Sequence, residues 1–183
     1  MNRTIFAALT ALFFAAPALA GTNVSVTAPK GFSEGVERIA IVTTSCAPQL
    51  DCPKMVQFVR AEITGLNIDA KVVAEFLVKQ ELFKLGEAEY AEESREPLCE
   101  ALELDAVLEI DVLFAERGHW NPLTGKGDNK NSGSKVAVRL VKPDGELLFA
   151  GTGFGGTVNV NVGPERVASR VVRDILKWAY RNE

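Results

Sequence analysis

The sequence holds one histidine in 183 residues, His119, and this scarcity excludes more chemistry than any motif supplies. A zinc centre would have to be built without a second imidazole, and no set of carboxylates or thiols has ligand spacing to replace it. A histidine-assisted Ser or Cys nucleophile would have to take its base from the loop Gly118-His119-Trp120. Charge of one sign is short as well: 20 basic against 24 acidic residues give a net charge of −4 and a pI near 5.2. That is too little to draw phosphate backbones or anionic lipid, so nucleic acid is not an expected partner. No residue pattern asks for a cofactor, and beyond residue 20 no apolar run is long enough to cross a bilayer.

Cysteine is sparse too, with three in the chain, and its placement is informative. Cys46 and Cys52 flank Ala47-Pro48-Gln49-Leu50-Asp51, a Pro-bearing loop able to fold its ends together, so a disulfide is expected there if the chain is exported. Closing so short a loop gains only about 2 kcal/mol on the chain-entropy model, so the bond would set local shape more than hold the fold. Cys99 falls beside Leu98, Ala101 and Leu102 at helical spacing, which predicts a buried, unreactive thiol.

Export is indicated at the start of the chain. Met1-Asn2-Arg3 supplies positive charge, Ile5 to Phe14 an apolar stretch interrupted by Thr10, and Ala18-Leu19-Ala20 an A-x-A-like cleavage site before Gly21. Residues 1–20 are therefore expected to be a signal peptide, and 21–183 a single periplasmic or secreted domain. No stable membrane anchor is expected, because the apolar stretch is short and Gly21 is not the cysteine that a lipid requires.

The remaining residues have ordinary globular composition, 47 % hydrophobic and 24 % charged, and are numerous enough to bury a core. Asn23–Thr27 alternates like an edge strand, and Arg38–Thr43 is a β-branched run suited to a strand covered on both faces. Asp51 and Pro53 start a helix carrying Met55, Phe58, Val59, Ile63 and Leu66. A second helix is predicted with Val72, Val73, Phe76, Leu77 and Leu82 buried, leaving through a short strand near 82–90. Ser94 is placed as the cap of a third.

In Ala106–Phe114, residues Ala106, Leu108, Ile110, Val112 and Phe114 share one face, while Glu109 and Asp111 share the other. Residues 117–134 lose periodicity and read as a long exposed hairpin loop. Lys135–Lys142 and Glu146–Ala150 are strands joined by the turn Pro143-Asp144-Gly145. From Pro164 a closing helix buries Val167, Val171, Ile175 and Trp178 with Ala168, Val172, Leu176 and Ala179. The predicted fold is one α/β domain, a mixed, mainly antiparallel sheet of about four to five strands with helices packed on it.

Several strings invite sharper readings. Gly151-Thr152-Gly153-Phe154-Gly155-Gly156 spells a dinucleotide loop, but an alternating stretch follows it instead of a helix, so the glycines are read as a bulge or a close backbone approach. Gly125-Lys126 lacks the Ser or Thr and the first glycine of a phosphate loop. Glu109 and Asp111 are read as cross-strand partners of Arg139 and Lys135, on a solvated or partner-covered face, and not as a catalytic carboxylate pair.

Two features suit binding. Arg166, Arg170, Arg173, Lys177 and Arg181 recur at steps of three or four along the last helix, forming either a solvated face or a docking stripe, with Arg170 and Arg173 at its centre. Trp120 sits in a loop of residues that avoid burial, so it either folds back onto the sheet or anchors a partner.

Ala101-Leu102-Glu103-Leu104-Asp105-Ala106-Val107-Leu108 resembles the helix-to-strand junction, written L-G-A-D-x-V-L, of the TolB amino-terminal, CsgG, LpoB and PelC group. Val138 to Leu148 is similar to that group's following hairpin. Glu103 and Leu104 stand in place of the group's glycine and small residue. The resemblance implies a non-catalytic periplasmic domain that binds envelope proteins or itself, in secretion, export or cell-wall assembly, with no catalytic residues to carry over. The expected function is thus an accessory or scaffold protein, with a small-ligand or glycan-binding module using the Trp120 loop as the alternative.

Overall fold

The computed structural model describes residues 22–66, 68–118, 120–121, 126–127, 132–157 and 162–181. The chain runs through strands β1 (Thr22–Thr27) and β2 (Arg38–Ser45), helix α1 (Cys52–Thr64), the two-residue strand β3 (Lys71–Val72) and helix α2 (Glu75–Lys84). A 3-10 turn (Glu92–Ser94) then leads into α3 (Arg95–Leu102). Strand β4 (Ala106–Glu116), the ribbon β5 (Trp120–Asn121) and β6 (Lys126–Gly127), strands β7 (Ser132–Val141) and β8 (Leu147–Thr157), and helix α4 (Pro164–Arg181) complete it. The main sheet has six strands in the order β1-β8-β7-β4-β2-β3, with β2 parallel to β3 and β4 and every other pairing antiparallel.

The strand beyond the expected four to five includes β3, which replaces the start of the second predicted helix. Lys71 and Val72 pair with Arg38 and Ile39, and Ala74 is still extended at φ −61°, ψ 138°, so α2 starts only at Glu75. Its inward residues are then Val78 and Leu82, one turn apart, and Phe76 turns out to solvent at 67 % exposure. The chain leaves α2 by a turn with Gly86 at φ +84°, not by a strand. Ser94 does not cap α3: its backbone is already helical at φ −80°, ψ −6°, where an N-cap is extended, and its side chain makes no capping bond.

Alternation decides how the sheet is covered. Ile39, Ile41, Leu108, Ile110, Val136, Val138 and Leu140 face α1 and α4, in the larger core cluster. Ala40, Val42 and Val107 face α2 and α3 in the second. The protein is thus an α/β/α sandwich. The α2–α3 layer packs on β2 and β4, while Lys135, Thr152 and Phe154 on β7 and β8 remain exposed.

A bulge in β4 overturns one expectation: Val112 pairs with Val136 but Phe114 with Lys135, so Leu113 is extra and Phe114 leaves the face of Ile110. Leu113 and Phe114 are 52 % and 44 % exposed, and Ala115 returns to the core. The pairing of β4 with β7 extends to Glu116 and Gly133, and Trp120 pairs with Gly127, so the segment predicted as one long loop is partly strand. Residues 158–161, expected to alternate as a strand, lie outside the described residues.

The glycine run belongs to β8, inside a strand and not at a strand-to-helix turn. A Cβ on Gly151 would lie 2.5 Å from Ile175 Cγ2, and one on Gly153 2.6 Å from Val171 Cγ1. The missing side chains let α4 sit close on the sheet, the close approach that the sequence allows for. On α4, Val167, Ala168, Val171, Val172, Ile175, Leu176 and Ala179 are all buried, each of the larger ones contributing about 1.5–3 kcal/mol. Trp178 is the exception. It was expected in this stripe, yet is 42 % exposed, because it lies at the margin of the buried arc.

Two junctions fix the neighbours of β2. Asp51, inside the loop closed by the Cys46–Cys52 disulfide, caps α1 by accepting the Lys54 amide at 3.0 Å. Helix α3 ends with Glu103 N–H donating to Glu100 O and Leu104 N–H to Cys99 O, the Schellman arrangement, which puts Glu103 at φ 52°, ψ 53°. Asp105 then accepts the backbone N–H groups of Glu37 and Arg38 at 2.9 and 2.8 Å, tying this turn to the start of β2.

Candidate functional site

The basic residues of α4 do not form one free stripe. The Arg166 guanidinium lies 4.6 Å over the Phe58 ring of α1, an arrangement held by cation–π attraction. Arg173 bridges the two helices, reaching Glu62 at 3.2 Å and Asp174 at 2.9 Å, while Asp174 also accepts from Thr22 of β1. Burial works to lower the Arg173 pKa, but the Asp174 and Glu62 carboxylates outweigh it and hold it above the usual value. Arg170 is half-buried in a notch with Thr22, Gly156 and Thr157. Only Lys177 and Arg181 are exposed cations of the last turns, with no ion-pair partner among the described residues, and Trp178 lies beside them on the helix surface. Arg173 is therefore a brace and Lys177 and Arg181 are the free contact groups. The sequence spacing treats all five alike.

Trp120 lies on the β5–β6 ribbon, a different element from α4, and its side chain falls outside the described residues, as does His119. Cys46 and Cys52 are joined, with Cα atoms 6.2 Å apart, and form one wall of a crevice of about 390 Å³ at the C-terminal end of β2. Val42, Leu50, Val56 and Val78 give the crevice an apolar floor, and Glu75 on its wall is already paired with Lys79 at 2.6 Å. Cys99 is buried, and burial raises its thiol pKa to about 11.

Glu109 is not on a solvated face. It is 1 % exposed, with Oε1 accepting from Tyr90 Oη at 2.7 Å and from Arg95 Nε and Nη2 at 3.0 and 2.8 Å. Arg139, opposite it in register, stands 2.9 Å from Oε2 as an ion pair without hydrogen-bond alignment. Burial and then the carboxylate raise the Tyr90 pKa, while Arg95 is held above its usual value by Glu109 against the opposing effect of burial. The expected Lys135 partnership does not form: Asp111 faces Ala137 and accepts from Ser45, and Lys135 faces Phe114 across the bulge. The cluster locks the 3-10 turn to the sheet. Tyr90 and Arg95 were not legible as its members, because they lie 19 and 14 residues away in sequence.

The string Gly31-Phe32-Ser33-Glu34-Gly35 spells Gly-x-Ser-x-Gly, so the motif excluded on sequence grounds is present as a string. A nucleophile elbow needs a strand turning directly into a helix. Here Glu34 N–H donates to Gly31 O and Val36 N–H to Ser33 O, two turns that connect β1 to β2, and Phe32 is buried.

On the opposite side of the sheet, α2 leaves Phe76 and Phe83 exposed at 67 % and 83 %. Between residues 87 and 105 the chain carries seven glutamates and one aspartate against Arg95 alone, and all seven glutamates are exposed. Helical spacing predicts Phe76 inside, whereas the start of α2 at Glu75 turns it outward.

No protein-family model matches the sequence, and no curated protein is similar to it. Solved structures do share its fold. A point variant of the PelC dodecamer from Paraburkholderia phytofirmans superposes with a TM-score of 0.53 at 11 % identity, covering 84 % of this chain and 96 % of that one. Lipoprotein GNA1162 from Neisseria meningitidis gives 0.54 at 17 % identity, over 80 % and 99 %. The C-terminal domain of LpoB from Salmonella enterica gives 0.44 at 12 %, over 67 % and 82 %. PelC belongs to the group that residues 101–108 and 138–148 resemble, so the resemblance drawn from those strings and the fold agree.

Proposed function

We propose that this protein is a non-catalytic accessory or scaffold component of the cell envelope, exported by residues 1–20 and acting in the periplasm by contact with envelope proteins, including further copies of itself. The observation that carries the reading is the outer face of α4, where the cations Lys177 and Arg181, with no ion-pair partner among the described residues, stand beside the 42 % exposed Trp178 on a chain of net charge −4. An aromatic centre with a charged rim is the composition of a protein contact. The shared fold of PelC, a dodecamer, and of the lipoprotein GNA1162 lends the reading support at the level of architecture. Among the described residues no helix is long and apolar enough to cross a membrane.

The test is light scattering and intact mass on the full chain expressed with its leader and recovered from the periplasm. The expected result is loss of residues 1–20 and a defined oligomer that Lys177→Glu with Arg181→Glu dissolves. Reversing Arg173 would be uninformative, since it would break the Glu62 bridge between α1 and α4. A wild-type monomer at every concentration would overturn the self-association reading.

A further inference from the structure

We propose that the α2–α3 face is the surface on which the last turns of α4 from a second copy of this chain dock; the inference rests on the self-association reading above. Helix α2 spends Val78 and Leu82 on the sheet. Phe76 and Phe83, two turns apart, therefore stand on its outer side, with Lys79 and Gln80 exposed between them. Two phenylalanines exposed at 67 % and 83 % on one helix face are an apolar patch awaiting cover. The neighbouring segment 87–105, with its seven exposed glutamates, gives the patch an acidic rim.

What fits this face is aromatic in its middle and basic at its edge, and the same chain carries such a surface. Trp178 is 42 % exposed beside Lys177 and Arg181, and the charges of these two cations have no partner among the described residues. The polarity extends to the whole layer: α1 and α4 together hold seven basic residues against three acidic ones. Like faces repel each other. Pairing α4 with α4 would oppose Lys177 and Arg181 to themselves, and pairing α3 with α3 would oppose glutamates, so the favourable contact is basic face to acidic face.

The two faces lie on opposite sides of the sheet, as the two core clusters require. One pair of copies therefore cannot satisfy both contacts at once. Each copy keeps one face free for the next, a heterologous contact that closes into a ring or extends as a filament.

Two double variants test this. Lys177→Glu with Arg181→Glu spoils the α4 face, and Phe76→Ser with Phe83→Ser spoils the α2 face; all four side chains are exposed, so unchanged circular dichroism and melting temperature are expected. By light scattering each variant alone should fall to a monomer. An equimolar mixture should form a one-to-one dimer and stop there, because each variant supplies the face the other lacks, and raised salt should weaken that dimer. Wild-type-like assembly of the phenylalanine variant would overturn the docking surface while leaving self-association standing. Two monomeric variants that fail to pair would overturn the heterologous arrangement. A monomeric wild type would overturn both this inference and the reading beneath it.

Discussion

Glu103→Gly should make this protein more stable, although glycine is ordinarily a destabilising replacement. Glu103 is the one non-glycine residue with positive φ among the described residues, at φ 52°, ψ 53°, imposed by the turn that ends α3. In that left-handed region a Cβ crowds the following carbonyl oxygen, at a cost of about 1–2 kcal/mol. Glycine removes this strain but adds freedom to the unfolded chain worth about 0.4–1 kcal/mol. The Glu103 side chain is exposed and makes no hydrogen bond or ion pair among the described residues, so nothing else is lost. The net gain should be about 0.5–1 kcal/mol, which for a chain of this length is a rise of about 1–4 °C in Tm. Glu103→Ala is the control, since alanine keeps the Cβ and should change little. Thermal and denaturant unfolding of the three proteins measures the effect. Glu103→Gly no more stable than Glu103→Ala would refute the argument from backbone strain. The group that residues 101–108 resemble carries glycine at this position, as the backbone geometry here favours.

Two further outcomes are expected. Glu109→Ala should cost about 3–5 kcal/mol in denaturant melts, because it leaves the Arg95 guanidinium, 13 % exposed, and the Tyr90 hydroxyl buried without their acceptor. Removing both charges with Glu109→Leu and Arg95→Leu should cost less, since Arg139 is 43 % exposed and also holds Glu92; a larger loss in the double variant would show that the pair itself is stabilising. A thiol-alkylating reagent at pH 8 should leave the native protein unlabelled and modify one cysteine, Cys99, after unfolding without reductant. Because burial raises the Cys99 pKa from 9.0 to about 11, its contribution to stability is present below pH 9 and lost as the unfolded thiol ionises between 9 and 11. Rapid native labelling, or three thiols in the unreduced unfolded protein, would contradict the structure.

The outward positions of Phe76 and Trp178 share a cause. Both lie near the edge of an apolar arc, and a period of 3.6 residues shows that a helix has two faces without showing its rotation on the sheet. In α2 the late start at Glu75 turned Phe76 outward, and in α4 the close seat against Gly151 and Gly153 centred the buried arc on Val171 and Ile175. Phe76 and Trp178 thus stand on the two faces proposed to dock, while Phe114 is turned out for a different reason, the bulge at Leu113. Arg173 shows the same limit for charge, since its spacing matches Lys177 while its role depends on Glu62, 111 residues away.

By itself the sequence determined what local chemistry controls: the helix start at Asp51 and Pro53, the Pro143-Asp144-Gly145 turn, the buried face of α4 apart from Trp178, the alternation of β4 as far as Val112, and glycines suited to a close approach and not to a phosphate. Only the tertiary structure decided which charges are sealed in, which are braces and which are free, and which aromatics reach solvent. Those outcomes depend on partners that arrive from distant segments, so burial and pairing energies exist only once the layers have packed.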